Sequence, residues 1–247
     1  MGCDATYDPT CSPREMPTHK VWLPAFEIDR TEVTVGDYSK CVEAGACQWP
    51  RCDVHSPIAG PPSFGAWNVA AAMNHVTWFQ AAAYCEWANK RLPTEAEWEK
   101  AARGTDLRKY PWGDAPPTCC LLVGFLSDEP VPCPLQRRQT HLHVFPVGSR
   151  PAGASPFGVL DMLGNVGEWV ADVYDPNYYA TSPYVNPSGP PEGTGEEETL
   201  RVKRDYYGLL YGLRMFFTSD YYSLTRRSGV APDSCSSFGG FRCARSL

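Results

Sequence analysis

All the helical signal in this chain lies in its first half, and that asymmetry limits the fold more than any other feature. Thr34-Val35-Gly36-Asp37 reads as a capped helix start; Tyr38, Cys41 and Val42 share a face beyond it, and Gly45 ends the run. Thr77-Trp78-Phe79-Gln80 is a capping box that leads a second helix through Ala88. Thr94 with Glu97 supplies a third start, and that helix runs to Arg103 and stops at Gly104. After residue 105 the helical period fades. Strand-like pieces occur over residues 20–34, near 157–172 and after 201. The expected architecture is therefore α+β and loop-rich, in one domain over residues 1–247. Residues 174–200, polar, acidic and rich in Pro and Gly, are expected to be a surface excursion.

Composition narrows the function classes. A formal net charge of −6 leaves no basic face for phosphates, so nucleic acid is not an expected partner. No apolar run reaches membrane-spanning length, and no charged start followed by an apolar run marks a secretion signal. Eleven cysteines without any CxxC pair point to disulfides in an oxidising, extracytoplasmic or secreted setting rather than to zinc. The odd count leaves at least one thiol unpaired or bonded elsewhere. Cys3 with Cys11, and Cys119 or Cys120 with Cys133, are candidate local pairs, whereas Cys41, Cys47, Cys52 and Cys235 have no assignable partner. His141 and His143 lie on one side of a strand-like stretch but have no third ligand, and read as neighbouring surface histidines.

Four motifs occur in order with long spacers: KRLPTEAEWEKAARG at 90–104, YPWGD at 110–114, GVLDMLGNVGEWVAD at 158–172 and GGFRCAR at 239–245. Together they resemble the sulfatase-modifying-factor family, whose best-known members are the formylglycine-generating enzymes. FEIDRTEVTVGDYSKCVEAGAC at 26–47 is similar to the family's N-terminal segment, so the resemblance covers nearly the whole chain. It implies a C-type-lectin-like variant fold with stabilising calcium, and a disulfide between Cys85 and Cys243. Family members include oxidases, inactive partners and ligand-displaying scaffolds, so function has to come from the site.

The 161–168 turn carries carboxylates seven residues apart with carbonyls between them, which suits the hard oxygen shell of calcium. By resemblance, Asp161 and Glu168 would bind through side chains and Gly164 and Val166 through carbonyls. At the family's second calcium site this sequence departs from the pattern, with Gly124 where an Asn is expected.

Formylglycine-generating enzymes hold copper(I) with a closely spaced thiolate pair upstream of the PDS ending. Here the matching positions are Arg214 and Ser219, and no cysteine occurs from 134 to 234. The expectation is a calcium-stabilised binding or partner module without copper; the alternative is an oxidoreductase of the formylglycine-generating type or with another metal centre. Tyr206, Tyr207, Tyr211, Arg214, Phe217, Tyr221, Tyr222 and Arg227 form an aromatic and arginine-rich candidate binding surface for a protein or glycan partner, with core packing expected to account for about half of the aromatic stretch.

Overall fold

The structure, a computed structural model, describes residues 1–50, 69–118, 120–121, 144–192, 199–204, 222–236 and 239–247. Helix α1 (Val35–Glu43) starts at Thr34, whose hydroxyl accepts from the Asp37 amide. Helices α2 (Trp78–Trp87) and α3 (Glu95–Arg103) each begin with a complete capping box, from Thr77 to Gln80 and from Thr94 to Glu97. Each box satisfies two backbone donors that a helix start otherwise leaves open. Gly104 ends α3 at φ 80°, a left-handed conformation that a β-carbon would strain.

The strands are short. β1 (Phe26–Ile28) pairs antiparallel with β6 (Ala244–Ser246), which ties the first strand to the end of the chain. The main sheet contains β2 (Gly167–Val173), β3 (Arg201–Arg204), β4 (Arg227–Val230) and β5 (Gly239–Phe241), in the order β4-β3-β2-β5. β3 is antiparallel to both β2 and β4, whereas β5 runs parallel to β2.

Alternation along β2 divides the core into two. Trp169 joins Tyr38, Met73, Cys85 and Phe241 beneath α1 and α2. Its neighbour Val170 joins Trp98, Met162, Val202 and Leu224 beneath α3. The sheet thus lies between α1 and α2 on one face and α3 on the other, with each side chain sorted by the strand's period of two.

Several expectations are corrected in detail. The strand-like stretch 157–172 is a strand only from Gly167, because Gly158, Asp161, Gly164 and Asn165 all take positive φ and turn the chain. The excursion at 174–200 is partly interior: Tyr178 and Tyr179 are buried, and Tyr179 meets His19 edge-on. The expected Cys3–Cys11 and Cys85–Cys243 disulfides are both present. Cys41 bonds Cys47 across the end of α1, where Gly45 reverses the chain and the Cys47 amide reaches the Cys41 carbonyl. Cys235 is also disulfide-bonded, whereas Cys120 is a free, exposed thiol and not a partner of Cys133. No helix among the described residues is long and apolar enough to cross a membrane.

Candidate functional site

The tight turn from Asp161 to Glu168 packs against the C-terminal strands. Glu168 is buried and is held by Arg242 through two charge-assisted bonds of 2.7 Å, one to each oxygen, while the Trp98 indole donates to Oε2 at 2.9 Å. Asp161 accepts from the Gly148 amide. Asn165, between the two assigned carbonyls, accepts from the Phe145 amide and donates to Glu32 Oε1 at 3.0 Å.

Glu32 was not singled out in the sequence, where it is one residue of the TEVT stretch before α1. It is buried, and its Oε2 has no hydrogen-bond partner among the described residues. Burial above all, and then the Asp161 carboxylate, pushes the Glu32 carboxyl well above its usual range, against the pull of Arg242. Three carboxylates therefore converge on a turn where Arg242 is the cation that Glu32 and Glu168 share. The three acidic groups sense one another electrostatically, but among the described residues no three His, Cys, Asp or Glu side chains lie close enough together to form a metal-binding group of side chains alone, so a cation here would need backbone carbonyls as well.

The second cluster lies under the β3–β4 pair. Glu95, the first residue of α3, is fully buried and accepts from Arg204 at 2.9 Å and from Arg227 at 2.8 and 2.9 Å. The Tyr179 hydroxyl donates to Glu95 at 3.0 Å, and the Arg227 guanidinium lies 4.3 Å from the Tyr179 ring centroid. Arg204 also reaches Glu99 and the Leu224 carbonyl, and Glu99 accepts from Arg103 and the Gly2 amide. Burial raises the Glu99 carboxyl, but Arg204 and the other nearby positive groups outweigh it and hold it at about 2. Asp172 accepts from the Glu95 amide; burial and then the Glu95 charge push its carboxyl up to about 8.

Lys203 is fully buried above Trp169, with Nζ 4.1 Å from the ring centroid, and burial lowers its ammonium to about 7. Gly239 makes room for it, since a β-carbon there would collide with Nζ.

The chain matches the sulfatase-modifying factor enzyme 1-like domain over residues 1–247. It belongs to the sulfatase-modifying factor family. The formylglycine-generating enzyme of Streptomyces coelicolor is 35% identical, over 93% of this chain and 81% of that protein. The hercynine oxygenase of Mycolicibacterium smegmatis is 34% identical over 71% of this chain but only 44% of its own length. Among solved structures, PvdO from Pseudomonas aeruginosa superposes with a TM-score of 0.72 at 23% identity, over 100% of this chain and 90% of that one. The fold is the C-type-lectin-like variant of formylglycine-generating enzymes.

Within this sulfatase-modifying factor fold, Asp161, Gly164, Val166 and Glu168 share one turn, and both carboxylates have protein partners. Tyr222 and Arg227, assigned to an exposed surface, lie inside instead. Tyr222 packs with Trp98 and Leu224, and Arg227 is drawn in by Glu95. Tyr206, Tyr207, Tyr211, Arg214, Phe217 and Tyr221, together with Ser219, His141, His143 and Gly124, lie outside the described residues.

Proposed function

We propose that this chain is a calcium-stabilised binding or partner module of the sulfatase-modifying factor family, without copper-thiolate oxidase chemistry. The observation that carries this reading is the absence of any cysteine from 134 to 234, so that Arg214 and Ser219 stand where the family's thiolate pair is expected. Soft thiolates are what hold copper(I), and neither a guanidinium nor a hydroxyl replaces them. The chain keeps the hairpin ends that flank those positions, fixed through Glu95, which supports a retained scaffold.

Calcium would be held by the carbonyls of Gly164 and Val166 and by Asp161 and Glu168, with Glu32 as an added acidic neighbour. Glu168 Oε1 accepts only from Arg242 among the described residues, which leaves it a lone pair. The ion would supply positive charge to the buried carboxylates. The disulfides whose two cysteines are both among the described residues, Cys3–Cys11, Cys41–Cys47 and Cys85–Cys243, support an extracytoplasmic setting for the module.

The deciding experiment incubates the protein with copper(I), oxygen and a cysteine-containing sulfatase peptide, with formylglycine read by mass spectrometry and bound metal by elemental analysis. The expected result is unmodified peptide and no stoichiometric copper. Conversion with one copper per chain overturns the proposal. A second reading, an oxidase with a different metal centre, is favoured by the identity to hercynine oxygenase; stoichiometric iron in the same analysis would support it.

A further inference from the structure

A groove of about 470 Å³ opens along one face of α2, away from the features assigned above. Trp78, Ala82 and Glu86, at i, i+4 and i+8, form its helical wall. Leu92, Ala171, Arg91, Ser246 and Asn186 also line it. Its size falls in the range of small-molecule sites, which combine an apolar lining with a few placed polar groups.

Charge in this groove is almost entirely matched within the protein. Arg91 forks onto Glu97 at 2.6 and 2.7 Å and also donates to Ser246 Oγ at 2.9 Å. Lys90 pairs with Asp29. An anionic ligand would have to break one of these pairs to find a cation. Glu86 is the charge left over: it is exposed and forms no ion pair among the described residues. A lone exposed carboxylate is too well screened to hold a cationic ligand by itself. The electrostatics therefore select a neutral ligand.

The aromatic wall is fixed in orientation. The Trp78 indole donates to the Val170 carbonyl at 2.8 Å, carries the Arg201 guanidinium 4.0 Å from its centroid, and meets Phe79 edge-on at 5.5 Å. Beside Asn186, whose amide nitrogen donates to the Trp22 carbonyl, Trp22 and Tyr184 remain 50% and 59% exposed. Asn186 lines the groove, is exposed, takes a positive φ of 46°, and its side chain makes no hydrogen bond among the described residues. A ligand suited to this combination has flat apolar surface for the indole and a hydroxyl edge for Asn186, Glu86 and Ser246. Neutral sugars have both.

We propose that the α2 groove is a saccharide-binding site for neutral oligosaccharides. Its occupancy does not depend on whether the chain carries an oxidase centre, so it can fail or hold separately from the proposed function. The test titrates the full chain with chitohexaose, cellohexaose, xylohexaose and maltohexaose, with a heparin hexasaccharide and hexalysine as charged comparisons, by calorimetry and ligand-observed NMR. At least one neutral oligosaccharide should bind at micromolar to millimolar concentration. Ala82→Arg, which fills the groove, should weaken it about tenfold or more without lowering the melting temperature. Should Ala82→Arg disturb folding, Glu86→Ala on the exposed rim gives the same test with a smaller loss. The proposal is overturned by the absence of binding to every neutral sugar at millimolar concentration, by affinity that both variants leave unchanged, or by binding of heparin or hexalysine alone.

Discussion

Arg204 and Arg227 face each other across the β3–β4 ladder and donate to the same oxygen of Glu95, at 2.9 and 2.8 Å. The two like charges tolerate this closeness because one buried carboxylate serves both, while Glu99 takes the remaining face of Arg204. Both strand ends are thereby pinned to the start of α3.

Removing Glu95 should expose the cost of that arrangement. Glu95→Ala leaves two buried guanidinium groups without their shared partner, and breaking such a pair typically costs about 3–5 kcal/mol. Urea unfolding measures this directly. A loss below about 1 kcal/mol would mean that Glu99 and Tyr179 suffice to hold the arginines.

Lys203 predicts a slope in stability against pH. Its folded value of about 7 lies below the ordinary 10.5, so between these limits the unfolded chain binds a proton that the folded chain does not. Stability from this group therefore rises with pH across that window, by at most about 1.4 kcal/mol per pH unit, and is flat below it. Lys203→Met should remove the slope. Identical slopes in variant and parent would show that the amine is charged in the folded state too.

Calcium binding makes a prediction in the form of a difference. Glu168→Ala lowers the melting temperature in any case, because it leaves Arg242 buried without its carboxylate. The informative quantity is the shift between calcium and chelator, which should be positive in the parent and absent in Glu168→Ala. Equal melting of the parent in both conditions would remove calcium from the account.

The disulfides should rank by the loop each one closes. Cys85–Cys243 spans 158 residues, and on the chain-entropy account its loss as a double serine variant costs about 5 kcal/mol. Cys3–Cys11 spans 8, for which the same relation gives about 2–3 kcal/mol. Calorimetry of the two double variants checks the order; a reversed order would point to strain or packing rather than chain entropy.

Local chemistry was legible in the sequence and long-range pairing was not. Thr34, Thr77 and Thr94 announce their helices because a cap and its partner lie within one turn. Glu95 reads as an ordinary first-turn carboxylate, and nothing nearby hints at Arg204 or Arg227, which lie 109 and 132 residues further along. Tyr222 and Arg227 looked like surface for the same reason, since their surroundings come from α3 and the sheet. The Cys41–Cys47 bond depends on how Gly45 turns the chain, a geometry that spacing alone leaves open among several partners. The 161–168 turn was recognisable by motif, but the contact of Glu32 with Asn165 arises only when the first strand region folds against it.

The paired ends of β3 and β4 have a consequence for how the family diversifies. Arg204 and Arg227 fix where the chain leaves the sheet and where it returns, and Tyr222 and Leu224 beneath α3 belong to the same frame, so variation in length and sequence is expected between residues 205 and 221 rather than in the flanking residues. Doubling the length of a flexible connection adds only about 0.6 kcal/mol to the cost of closing it. A scaffold built this way separates inheritance of the frame from inheritance of the chemistry it carries, so a reactive pair can be lost from that span, or a new recognition sequence gained, in one lineage without first rebuilding the fold.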